Sequence, residues 1–101
     1  MFARTTIVQF KPGTEEQAKH FVREIMLPTA SKQQGFQEAL FLKNGKNARK
    51  YTIISIWETE EAMLASRPPD ELLPQLDAFG EHIAEADQDG CEVLLRLEKD
   101  R

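Results

Sequence analysis

Tyr51-Thr52-Ile53-Ile54-Ser55-Ile56-Trp57-Glu58-Thr59-Glu60-Glu61-Ala62-Met63 is the stretch whose reading decides the fold. Between Tyr51 and Trp57 nearly every residue is β-branched or aromatic, the side chains that suit a pleated, buried surface. Thr59 then fits a helix N-cap. Glu60 and Glu61 fall in the first turn, where the exposed amides favour negative charge. A strand therefore ends at Trp57 and a helix begins three residues later. This strand holds the only Tyr of the chain and closes with its only Trp.

Working outward, Phe36 to Lys43 reads as the preceding strand, joined to this one through Asn44-Gly45, a strong turn signal. The third strand itself then spans about Arg49 to Trp57. A first strand is predicted from about Ala3 to Phe10, ended by Lys11-Pro12-Gly13. Thr14 with Gln17 has the spacing of a capping box. Ala18, Phe21, Val22, Ile25 and Met26 share one face at helical period. Pro28 predicts a kink or short break, with further turns before Gln34 and a stop at Gly35. Beyond the opening stretch, a short helix takes Glu60 to about Ser66, and Pro68-Pro69 interrupts it. A last helix starts between Asp70 and Pro74, with Leu76, Phe79, Ile83 and Ala86 as its stripe. Asp87-Gln88-Asp89-Gly90 reads as a turn and Cys91 to Leu97 as the final strand. The order β-α-β-β-α-β predicts an α+β, ferredoxin-like fold: a four-stranded antiparallel sheet with helices on one face.

Alternation along the third strand sends Thr52, Ile54 and Ile56 one way and Tyr51, Ile53, Ser55 and Trp57 the other. On the last strand Val93, Leu95 and Leu97 oppose Leu94 and Arg96. A sheet with one solvated face alternates cleanly between apolar and polar. Here the face carrying Tyr51, Ile53, Trp57 and Leu94 remains apolar and needs a cover. A second copy of the same sheet is the economical cover, which predicts a homodimer packed through its sheet faces.

The 101 residues, read as a single domain over 1–101, have an ordinary apolar fraction and a net charge of −4. Scattered Lys and Arg, with Lys43, Lys46, Arg49 and Lys50 around a turn, argue against a nucleic-acid surface. One cysteine, Cys91, excludes an intramolecular disulfide and a cysteine-built metal site. Met1-Phe2-Ala3-Arg4-Thr5-Thr6 leads into a strand pattern and not into a signal peptide, and no apolar run approaches spanning length. The expectation is a cytoplasmic protein with no membrane partner.

The Gly35-Phe36 step into the second strand, the third strand closing in Trp57-Glu58, and the helix after Thr59 resemble the antibiotic biosynthesis monooxygenase domain. That domain is a member of the dimeric α/β-barrel superfamily. The resemblance runs from about Ala3 to Leu97. It implies a homodimer whose sheets form a barrel, with a pocket between sheet and helices in each protomer. It also implies cofactor-independent oxidation of a small aromatic or quinol-type ligand, hence no cofactor, or else haem degradation. The haem branch needs a histidine on the helix after the third strand, an asparagine in the first strand and a tryptophan in the following helix. Thr5-Thr6 stand in that strand, no Trp lies in Glu60–Ser66, and no His lies between Arg67 and Phe79. Haem degradation is therefore disfavoured.

The pocket candidates are Trp57, Tyr51, Arg96, Ser55 and Thr6. Each has a plainer alternative. Trp57 also reads as a core or interface anchor, which is preferred. Tyr51 reads equally as an interface contact, and Arg96, between two leucines, reads as a structural ion pair. His20 near Glu16 and Glu24, and His82 near Glu81 and Glu85, read as solvated pairs, so no metal is expected. Glu58 either holds the strand-to-helix turn, which is preferred, or acts as a base at the pocket mouth. The opposing reading is a non-catalytic, ligand-binding or stress-associated homodimer.

Overall fold

The computed structural model describes residues 1–99. Strand β1 spans Phe2–Phe10, followed by α1 (Glu15–Phe21), one π-helical turn (Val22–Met26) and α2 (Leu27–Ala30). Strands β2 (Phe36–Lys43) and β3 (Lys50–Trp57) come next, then α3 (Glu60–Ala65), a 3₁₀ turn (Asp70–Leu72), α4 (Leu73–Glu81) and β4 (Ile83–Glu92). The four strands form one antiparallel sheet in the order β2-β3-β1-β4, with helices on one face. This is the ferredoxin-like arrangement that the element order predicts.

Register fixes the faces. Phe2 lies opposite Trp57, Arg4 opposite Ser55, Thr6 opposite Ile53 and Val8 opposite Tyr51. These residues share the side that the helices cover, because strand side chains alternate. Val8, Phe10, Tyr51 and Ile53 meet Ala18, Phe21, Val22 and Phe79 in the core. Its aromatic spine runs from Tyr51 through Phe10 (5.2 Å) to Phe79 (5.8 Å, edge-on), which stacks on Phe21 at 4.9 Å.

The faces are the reverse of the sequence expectation. Tyr51, Ile53 and Trp57 are covered by the chain's own helices and need no partner. The uncovered side carries Ile54 and Ile56 with Ile7, Leu40 and Leu42, the last three being 41–46% exposed. Both faces of β3 are apolar, so alternation alone does not say which one the helix stripe takes.

The last strand also differs. Asp87-Gln88-Asp89-Gly90, expected as a turn, lies inside β4, with Asp89 opposite Thr5 and Gly90 opposite Arg4. An edge strand satisfies its backbone on one neighbour and tolerates charged side chains on both faces. Helix α4 stops at Glu81, short of Ala86; the His82 amide donates to Phe79 O (3.0 Å) and the Lys11 amide to His82 O (2.8 Å). Ile83 thus enters the sheet opposite Phe10. Cys91 and Glu92 end β4. Leu94, Leu95 and Leu97 lie beyond it at 88, 74 and 83% exposure.

At the first helix, Thr14 does not cap. Its backbone is already turned (φ −109°, ψ −2°) and its hydroxyl donates back to Lys11 O at 2.8 Å, so no capping box forms. Pro28 brings no break. The preceding turn widens instead: the Leu27 amide bonds Val22 O, and Pro28 occupies the start of α2. Widening the turn next to a missing N–H lets the chain continue helically past the ring. Gly35 ends this helical region with φ +86°, and its carbonyl accepts from the Glu58 amide at 2.7 Å. Thr59 does cap α3, its hydroxyl accepting from the Ala62 amide at 3.0 Å.

Candidate functional site

Between the helix-covered face of the sheet and the helices lies a cavity of about 250 Å³. Arg4 and Thr6 of β1 with Ile53, Ser55 and Trp57 of β3 form its floor. Met26, Leu27, Thr29, Ala30 and Gln33 cover it, Leu76 closes one side, and Ser66, Arg67 and Pro68 with Gln88 stand around the rest. Most of the enclosing surface is apolar, with a few convergent polar groups, the usual character of a small-molecule site. A larger depression of about 350 Å³ lies over Ile7, Gln9, Lys50, Glu85, Ala86 and Asp87. It sits at the β1–β4 side and holds none of the candidate residues, so the smaller, more apolar cavity is the better site.

Trp57 is 1% exposed, its ring edge-on to Phe36 at 5.5 Å. Its indole N–H donates to Ser55 Oγ at 2.9 Å. That bond uses Ser55 as an acceptor and leaves its O–H free to donate. Thr6 Oγ1 accepts from Gln88 Nε2 at 3.1 Å, tying β1 to β4 across the floor. Gln33 Nε2 donates to Arg67 O at 2.7 Å and joins the cover to the wall.

Arg4 is half-buried. Its Nη2 donates to Met63 O (2.9 Å) and its Nη1 to Ser66 Oγ (3.5 Å), while the Ser66 hydroxyl itself donates to Met63 O (2.7 Å). The guanidinium thereby adds to the donors on Met63 O at the end of α3, which also accepts the Ser66 amide at 3.3 Å.

The structure brings Trp57, Ser55 and Thr6 together at the cavity and leaves Tyr51 and Arg96 out of it. Tyr51 points to the same face as Trp57 but six residues earlier, about 20 Å along the strand. It is buried in the aromatic core instead. Arg96 lies on the segment after β4 and pairs with Glu38 (2.8 Å) and Glu98 (3.4 Å). It was expected inside a strand; the ladder has already ended at Glu92. Glu58 is exposed and serves the strand-to-helix turn through its backbone. Sequence reasoning missed Arg4, Gln33, Arg67 and Gln88. For Arg4 a signal existed: it alternates with Thr6, Val8 and Phe10, a charge on the apolar face of a strand.

Among the described residues no group of three His, Cys, Asp or Glu is placed to hold a metal ion, and no helix is long and apolar enough to cross a membrane. Among the described residues lining the cavity, Met26 is the one side chain of a kind that ligates haem iron, and no His, Cys or Tyr stands with it, so the lining lacks the axial histidine that the haem branch needs.

A four-stranded ferredoxin-like domain with a ring-sized cavity between sheet and helices defines the class of protein. Residues 1–73 match the family described as antibiotic biosynthesis monooxygenase, and the chain belongs to that family. A Nitrosomonas europaea protein provisionally assigned to the same family superposes with a TM-score of 0.82 at 14% identity, covering 94% of this chain and 100% of that one. SnoaB, a cofactor-independent oxygenase from Streptomyces nogalater, superposes at 0.76 with 17% identity, covering 97% of each chain. A structure of MhuD with manganese protoporphyrin IX in its active site superposes at 0.67 with 20% identity, covering 98% of this chain and all of that one. At such identities the likeness is one of fold. No curated protein matches the sequence.

Proposed function

We propose that this protein is a cofactor-independent monooxygenase of a small aromatic or quinol-type substrate, acting as a cytoplasmic homodimer. The observation that carries the reading is the largely apolar cavity floored by Trp57, Ser55 and Thr6, in a chain of this family. The substrate supplies the electrons. For a phenol, the ring C–H opposite the hydroxyl becomes C=O: one atom of O₂ enters the ring and the other leaves as water, taking the C–H and O–H hydrogens. The chain's residues position and shield. Trp57 and Leu76 flank the ring, the free Ser55 O–H donates to a ring oxygen, and the apolar cover excludes water.

The uncovered apolar side of the sheet supports the dimer. Ile7, Leu40 and Leu42, with Ile54 and Ile56, form a patch that a second copy would cover, and the exposed Leu94, Leu95 and Leu97 lie beyond the same sheet.

Oxygen uptake with a panel of dihydroxy-aromatics tests the activity. Ser55→Ala and Trp57→Phe are expected to lower uptake at least tenfold, and Arg96→Ala to leave it unchanged. Uptake indifferent to both cavity substitutions would overturn the assignment of the site. One observation favours a second reading, a non-catalytic ligand-binding or stress-associated dimer: among the described residues no His, Asp or Glu lines the cavity, so they offer no ordinary general base there. Binding without oxygen uptake across the panel would decide for it.

A further inference from the structure

We infer that the cavity selects ligands carrying an anionic group, a carboxylate on an aromatic ring, and that Arg4 is the residue that holds it. The inference deepens the proposed function and rests on its choice of cavity. Among the described residues every charged side chain lining that cavity is cationic: Arg4 in the floor and Arg67 at the exposed mouth. Among the described residues no carboxylate lies within 4.0 Å of Arg4, whereas Arg96 and Arg23 both have acidic neighbours. A half-buried guanidinium without a counter-charge is costly, and an incoming anion relieves that cost.

The geometry is prepared for such a ligand. A guanidinium has five N–H donors, and Arg4 uses one on Met63 O and one on Ser66 Oγ. Three donors remain, and those two bonds fix the plane of the fork. A planar fork held in place matches a carboxylate with two parallel hydrogen bonds. Ser55 lies directly across the ladder from Arg4, with its O–H still free beside them. Ile53 and Trp57 flank the Arg4–Ser55 level on either side, and with Leu76 they supply the apolar surface for a ring attached to that carboxylate. The volume of about 250 Å³ falls below the ~300 Å³ at which drug-sized sites begin, which limits the body to one or two rings.

The test compares 4-hydroxybenzoate with 4-hydroxybenzamide, nearly the same shape and differing by the charge. Binding is read at neutral pH from the fluorescence of Trp57, the only tryptophan. The acid is expected to bind the parent protein at least tenfold more tightly than the amide. Arg4→Gln should reduce that ratio to below threefold, and Arg4→Lys should retain part of it. Because Arg4 also braces α3, the acid-to-amide ratio in the parent stands as a test even where a variant folds poorly. Equal affinities in the parent, or an unchanged ratio in a folded Arg4→Gln, overturn the inference. Equal binding of both compounds with a full Trp57 response would overturn the charge selection alone and leave the cavity as the site. Binding of neither, by fluorescence or calorimetry, would overturn the inference together with the choice of cavity.

Discussion

Gly35 offers the sharpest test of how the site is framed. Its φ of +86° and its position against α3 make two separate demands. Placing an L side chain in the left-handed region costs about 1–2 kcal/mol. A Cβ at Gly35 would also stand 2.5 Å from the Ala62 Cβ, where ordinary carbon contacts lie at about 3.5–4.0 Å. Neither atom is the end of a flexible side chain, so the backbone of α3 or of the β2 start must move by about 1 Å, and overpacking of this kind costs about 1–3 kcal/mol. Gly35→Ala is therefore expected to lose about 2–5 kcal/mol in urea unfolding, a large part of the ~5–15 kcal/mol typical of a domain. Ala62→Gly separates the two contributions. Alone it costs about 1 kcal/mol through helix propensity, but combined with Gly35→Ala it removes the clash and leaves the dihedral cost. The double variant should thus be about 1–3 kcal/mol more stable than the sum of the single losses. A loss below ~1 kcal/mol for Gly35→Ala, or additivity within ~0.5 kcal/mol, would refute the reasoning. The functional consequence is local: movement at Gly35 loosens the Gln33–Arg67 bond over the cavity and the Glu58 amide beside Trp57.

Thr59→Ala removes the hydroxyl that accepts the Ala62 amide; a loss of about 1 kcal/mol is expected in thermal unfolding, and Thr59→Ser should restore most of it. Leu40→Glu places a charge in the exposed apolar patch of the sheet. Sedimentation at micromolar concentration should show a dimer for the parent and a monomer for this variant, and a monomeric parent would contradict the assembly. The Lys19 ammonium, 2.7 Å from Glu16, holds the Glu16 carboxyl below its ordinary 4.5, and Glu16 in turn raises Lys19 above 10.5. A lowered carboxylate stabilises above its unfolded pKa and loses that contribution as pH falls through the folded one; a raised lysine loses it as pH rises through its folded pKa. The melting difference between parent and Glu16→Gln should accordingly be flat near neutrality and shrink in acid and in strong base. A difference that grew in acid would contradict the pairing.

Most of the fold was legible because its signals are local. Strand β3 follows from its β-branched and aromatic run, β2 from the Asn-Gly turn that joins it to β3, and helix α3 from one threonine cap. The last strand was not, because Asp87-Gln88-Asp89-Gly90 has the composition of a turn and becomes a strand only through its ladder with β1. The leucines at 94, 95 and 97 show the converse. Their pattern is that of a buried strand, yet within one chain they have no surface to cover them. Hydrophobic periodicity reports which side chains share a face and not what covers that face.

That distinction also explains the reversed faces. Apolar residues on both sides of β3 do not say which side the helices take, and the helix stripe of Phe21, Val22 and Phe79 settles which side belongs to the chain itself. The outcome divides the sheet between two tasks. Trp57, Ser55, Thr6 and Arg4 face inward, where ligand chemistry is done; Ile7, Leu40, Ile54 and Ile56 face outward, where assembly would be. Adjacent residues of one strand then answer to different assays. Substitutions at Ser55 or Arg4 should alter binding without dissociating the protein, and those at Leu40 or Leu42 should dissociate it before they alter the cavity. Had Trp57 lain at the interface, no such separation could arise, because each change would disturb both.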